Sequence, residues 1–112
     1  MPRTESQRIG RLRHRVTIEM PVRIQTEGGA AQETWLPLET VFAELCPRDG
    51  RERVRGDQLD AEVTHVVRMR FRDDLNEDMR LTMPGRTFEI TAVIDEGEMR
   101  RWVKLLCIER RA

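Results

Sequence analysis

From Val67 to Arg72 the chain reads Val-Arg-Met-Arg-Phe-Arg, an unbroken alternation of apolar and cationic residues that closes the longer stretch Thr64–Arg72. Successive side chains of a strand point to opposite faces, so Val67, Met69 and Phe71 go to a core and Arg68, Arg70 and Arg72 go outward. At helical spacing the same residues would be spread around the whole surface. A strand buried on one side needs further strands to share its core. The rest of the chain therefore has to supply them.

It does so at hairpin intervals. Arg13 to Ile24 reads as a first strand: Val16 and Ile18 alternate with Thr17 and Glu19, Pro21 marks an edge or a bulge, and Val22 and Ile24 resume the pattern. Glu27-Gly28-Gly29-Ala30 is the turn, because glycine takes positive φ without a Cβ clash. Glu33 to Cys46 is a second strand, with Pro37 a further edge or bulge mark. Its two faces, Val41, Ala43 and Leu45 against Phe42, Glu44 and Cys46, both carry apolar groups, which predicts cover on both sides. After the Thr64–Arg72 strand come Met79–Met83, Thr87–Ile94 and Arg101–Arg110. Met83-Pro84-Gly85-Arg86 places Pro and Gly at the centre of a type II turn. Phe88, Ile90 and Ala92 share one face, and the Val93-Ile94 doublet suggests a bulge or a double-sided end. Val103, Leu105 and Cys107 share the core face of the closing strand. The expectation is an all-β fold: a small antiparallel β-barrel or sandwich of about six strands. Residues 12–112 make one domain, and the polar, unpatterned residues 1–11 a flexible arm.

Between the second and third strands the alternation stops. Arg51, Glu52, Arg53, Arg55, Asp57, Asp60 and Glu62 are charged, Gly56 interrupts them, and Val54, Leu59 and Ala61 are the apolar minority. The segment is either a short helix broken by glycine or a long loop. Long loops in compact domains are functional or simply disordered.

Composition removes several functions. Lys plus Arg and Asp plus Glu are each 20, so the basic excess of a phosphate-coating protein is missing. Lys104 is the sole lysine; the preference for arginine suits bidentate pairing with carboxylates between subunits, although a genome rich in G and C would produce it too. Cys46 and Cys107 lack metal-ligand spacing and sit in apolar stretches, as expected of reduced, buried thiols. No signal-peptide pattern opens the chain, and no run reaches the ~18 apolar residues of a membrane span. A soluble protein of a reducing cytoplasm is expected, without membrane contact.

Catalysis finds no footing either. His14 and His65 are the only histidines and Ser6 is the only serine. No glycine-rich phosphate loop or metal-spaced cluster occurs, so neither an enzyme nor a cofactor is expected. Base stacking needs aromatic platforms, and the chain has only Trp35, Trp102, Phe42, Phe71 and Phe88, with Phe71 and Phe88 assigned to the core. The outward Arg68, Arg70 and Arg72 could bind nucleic acid, or be answered across strands by acids such as Glu89 and Glu109.

The ordered set of motifs resembles a known family. Gly10-Arg11-Leu12-Arg13-His14-Arg15-Val16-Thr17-Ile18, then Trp35, Thr40-Val41-Phe42-Ala43-Glu44-Leu45, Gly50-Arg51-Glu52, the Thr64–Arg72 strand, Met79-Arg80-Leu81, Gly85-Arg86-Thr87-Phe88-Glu89-Ile90 and Asp95 are similar to the head–tail joining (head-closure, or stopper) proteins of tailed phages. Phe42 and Phe88 stand where a larger aromatic is common in that family, and residues 51–62 are more charged and less aromatic than expected. The resemblance implies a homo-oligomeric ring at the head–tail interface of a virion, assembled in the bacterial cytoplasm. It would sit between a portal-bound adaptor and the tail terminator or tail tube, with packaged double-stranded DNA passing through its channel. The same fold serves gene transfer agents. In relatives the connection between the second and third strands reaches the channel and can close it. By position this implicates Pro47–Glu62, with Arg48, Asp49, Arg51, Glu52, Arg53, Arg55, Asp57, Asp60 and Glu62 as channel or gating residues. Arg68, Arg70, Arg72, Glu89 and Glu109 become candidates for ion pairs between subunits. Two other readings stay open: a nucleic-acid-binding barrel using Arg68, Arg70 and Arg72, and a neighbouring adaptor or tail-terminator ring component.

Overall fold

A computed structural model describes residues 11–48 and 63–110. Most of the expected N-terminal arm and the charged connection over 51–62 lie outside the described residues. Six strands form: β1 (His14–Gln25), β2 (Ala31–Pro47), β3 (His65–Arg70), β4 (Arg80–Met83), β5 (Arg86–Asp95) and β6 (Trp102–Arg110). A 3₁₀ turn, Glu96–Glu98, precedes β6. The strands close into an antiparallel barrel in the order β1-β2-β3-β6-β5-β4. The all-β expectation holds, and the barrel alternative is the one realised.

The period-two residues fill the interior. Val16, Ile18, Val67, Leu81, Phe88, Val103, Leu105 and Cys107 are fully buried, with Ala43 and Met69 beside them. Closure rests on a short seam, since β1 meets β4 only through Thr17↔Thr82, Ile18↔Leu81 and Glu19↔Arg80. Beyond Glu19, β1 has β2 as its sole partner, down to Gln25↔Ala31. That part of the pair leaves the barrel as a two-stranded ribbon and carries the exposed Ile24, Leu36 and Leu38. Its turn is closed by Thr26 N–H donating to Ala30 O at 2.9 Å, with Gly28 and Gly29 at φ of 95° and 85°. Both prolines have their reason in this geometry. Pro21 lies where β1 has a neighbour on one side only, and Pro37 adjoins the bulge between Ile18 and Glu19, where a missing N–H costs no ladder bond.

Several expectations need correction. Phe42 is 56% exposed, so β2 is not covered on both faces: beside it, β2 pairs with β1 alone, and β3 joins only from Glu44 onward. Phe71 is not core, because β3 ends at Arg70 and its ring lies half-exposed with the Arg100 guanidinium 5.1 Å from its centroid. The bulge on β5 falls at Thr91 rather than at Val93-Ile94: Ile90 faces Cys107 and Ala92 faces Leu106. The extra residue exchanges the faces, so Val93 instead of Ala92 packs on the core. Thr91 Oγ1 donates to Leu106 O at 3.0 Å. Cys107 is buried, which pushes its thiol up to about 12, whereas Cys46 is only half-buried.

Truncating the fully buried Leu105 to alanine should cost about 2–5 kcal/mol, whereas Leu36→Ala on the ribbon should stay within about 0.5 kcal/mol of wild type. Urea unfolding of both variants checks the contrast.

Candidate functional site

The residues that could act on a partner fall in three places on the barrel. The first is the outer face of β3. Arg68 is flanked in register by Glu44 and Lys104, and its guanidinium lies 3.9 Å from Glu44 and 3.4 Å from Glu96. Arg70 stands over the ring of its cross-strand neighbour Trp102, 5.6 Å from the centroid. Arg72 is held by Asp74 and Glu39, donating to both carboxylates; its Nη2 donates to Asp74 Oδ2 at 2.8 Å. These bonds hold the Asp74 carboxyl below the usual carboxylate range. The acids expected to answer these arginines within the chain are therefore not the ones that do so. Glu89 pairs with Arg110 at 3.2 Å and Glu109 with Arg86 at 2.8 Å, because strand register, which alternation alone does not fix, sets them elsewhere. An arginine ladder open to phosphate is not what the fold presents, since Arg68 and Arg72 already meet carboxylates.

The second place is the barrel mouth where β2 ends and β3 begins. Pro47 faces His65 across the ladder, and Arg48 N–H donates to Thr64 O at 2.8 Å, so the two ends of the charged connection leave the barrel side by side. Of the candidate gating residues only Arg48 is among the described residues. Asp49, Arg51, Glu52, Arg53, Arg55, Asp57, Asp60 and Glu62 lie outside them. Beneath this root sits a polar plug. His65, 9% exposed, meets the Phe88 ring edge-on at 5.0 Å. Its Nδ1 lies 2.9 Å from Thr64 Oγ1, and its Nε2 lies 3.3 Å from Arg86 Nη2 and 3.9 Å from Glu109 Oε1. Arg86 grips Glu109 with two bonds, 2.8 and 3.1 Å, while Thr64 Oγ1 accepts the Glu109 N–H at 2.7 Å. Nε2 accepts from Arg86 only when the imidazole is neutral and carries its proton on Nδ1, where Thr64 Oγ1 can receive it. The lone histidine in β3 is thus the satisfied structural residue expected at the opening of that strand, with its partners drawn from three strands.

The third place is a groove of about 460 Å³ in the barrel wall, lined by Leu12, Val41, Phe42, Met69 and Phe71 with Glu39, Arg70 and Arg72 at its rim. It opens where β2 and β3 stop pairing. Among the described residues no group of His, Cys, Asp and Glu could hold a metal ion.

Residues 8–110, which include all of the described barrel, match the phage head completion protein family. The chain belongs to that family. A phage head completion protein is a structural component of the particle, not an enzyme. Over 72 residues the chain is 38% identical to head completion protein gp7 of Enterobacteria phage HK97, a match that covers 64% of each. The solution structure of a protein from Shigella flexneri 2a superposes with a TM-score of 0.72 at 30% identity, covering 90% of this chain and 95% of that one. A chain in the virion of a native gene transfer agent particle shares the fold, with a TM-score of 0.64 at 19% identity over 88% of this chain and 96% of that one.

Burial, aided by Arg86 and opposed by Glu109, lowers the His65 pKa below its ordinary 6.5. The unfolded chain then takes up the proton first, so stability should fall as pH drops below the ordinary value and level off beneath the folded one. Urea midpoints measured from about pH 7.5 to about pH 5.5 should decline, and His65→Gln should flatten that segment of the curve.

Proposed function

We propose that this head completion protein forms a ring between a portal-bound adaptor and the tail terminator or tail tube of a tailed phage or phage-like particle, where it helps retain packaged double-stranded DNA. Family membership over residues 8–110 is the observation that carries the reading. The role named for the HK97 relative, head completion, is transferred on that basis. Charge supports it: with equal numbers of acids and bases, the chain has no excess with which to grip DNA that must move through a channel. The barrel supports it as well. Its ribbon and its charged connection leave from opposite ends, so a ring of such staves can reach a neighbour with one and the channel with the other. On this reading Pro47–Glu62 lines or gates the channel, rooted by the Arg48–Thr64 bond. Arg68, Arg70, Arg72, Glu89 and Glu109, beyond their contacts within one subunit, supply charge toward the next.

Particles lacking this chain should be seen by electron microscopy as filled or leaking heads beside unattached tails. Normally joined particles would contradict the reading. Deleting residues 51–60 should leave the thermal unfolding of the purified chain intact while lowering the DNA retained in particles, measured by nuclease protection. An unfolded product would make the segment part of the fold instead of a gate.

A further inference from the structure

The ribbon and the groove have matching character, and neither is covered by another element among the described residues. The ribbon carries Ile24, Leu36 and Leu38 at 51, 50 and 40% exposed, with Arg23 on β1, Glu27 at its turn and Glu33 on β2. The groove offers Val41, Phe42 and Phe71 as an apolar floor, with Arg70 at its rim and Arg100 over Phe71. Strand edges add a second complementarity. The β2–β3 ladder covers only Glu44–Pro47, so no ladder bonds join the edge of β2 alongside the groove to β3. The β1–β4 ladder covers only Thr17–Glu19, which leaves the outer edge of β1 from Met20 onward without a strand partner among the described residues. Open edges of this kind are where another strand adds.

The ribbon cannot fill its own groove. Leu36 and Leu38 stand immediately before the groove residue Glu39 on the same strand, and β2 stays paired to β1 from Ala31 through Ala43. A rigid ladder does not double back over one residue. A second copy is the occupant that fits: its ribbon brings the apolar Ile24, Leu36 and Leu38 with two acids, Glu27 and Glu33, against one Arg23, to a groove lined by Arg70 and Arg72 against Glu39.

We propose that the β1–β2 ribbon of one copy docks in the β2–β3 groove of the next. This contact rests on the ring reading and gives it a partner surface: ribbon and groove are different patches, so the contact is heterologous and repeats head to tail until the rotation closes. It also accounts for an exposed phenylalanine, Phe42, in the wall of a barrel whose other aromatic residues are at least half-buried.

Sedimentation velocity on the purified full chain tests it. Wild type should associate beyond the dimer as concentration rises. Leu36→Asp on the ribbon and Phe42→Asp in the groove, both half-exposed sites, should each stay monomeric while keeping the wild-type circular dichroism spectrum. Mixed in equal amounts, the two variants retain one intact ribbon and one intact groove between them, so they should form a 1:1 dimer and stop there. Wild type that remains monomeric to its solubility limit, a single variant that associates like wild type, or a mixture that stays monomeric or grows past the dimer would overturn the proposal. Because the readout is taken without particles, failure of this contact is distinguishable from failure of the ring reading, which is judged by head–tail joining.

Discussion

The barrel depends on a seam only three residue pairs long, where β1 meets β4. Ile18 and Leu81 face each other there, both fully buried, and supply the apolar part of the closure. The polar part is Glu19, which accepts from Arg80 Nε at 2.6 Å in a half-buried setting. The same guanidinium lies 4.1 Å from the centroid of the Trp35 ring, on the ribbon. One arginine thus fastens the barrel shut and fixes the base of the projecting ribbon. Were the seam to open, a six-stranded barrel would become a sheet with two bare edges, and the ribbon would lose the support that sets its direction.

Strand length explains the rest of the architecture. β1 and β2 run 12 and 17 residues, far more than the short β4 of 4 residues can pair. The surplus becomes the ribbon at one end. At the other end the chain leaves β2 and re-enters β3 beside the Thr64, His65, Arg86 and Glu109 plug, which satisfies the backbone and side chains at that mouth without opening the core. Function, on the reading proposed, sits in the ribbon and in the connection that leaves this mouth, and the barrel spaces the roots of the two.

The strands were legible in the sequence wherever the period-two pattern had a partner on both sides, as in Val67 and Met69 or Val103, Leu105 and Cys107. Legibility failed where the pattern persisted after its cause had ended. Phe71 continues the alternation of β3 but lies past the last ladder pair, and Phe42 alternates correctly in a stretch that no third strand covers. Thr91 shifts the parity of β5 with one inserted residue that no residue type announces. Ion partners were also hidden, because which carboxylate meets Arg68 or Arg72 depends on register and on turns such as Glu96–Glu98, not on alternation. Of the candidate gating residues only Arg48 is among the described residues, and the likeness of ordered motifs, rather than any spacing within 51–62, pointed to that segment.

The most direct measurement is an electron cryomicroscopy reconstruction of intact particles containing this chain. A closed ring of these barrels, coaxial with the portal and seated between head and tail, with residues 49–62 of each copy directed to the channel, is the expected result. Particles whose neck density has no place for the barrel, or in which the chain lies elsewhere in the capsid or tail, would contradict a head-closure role.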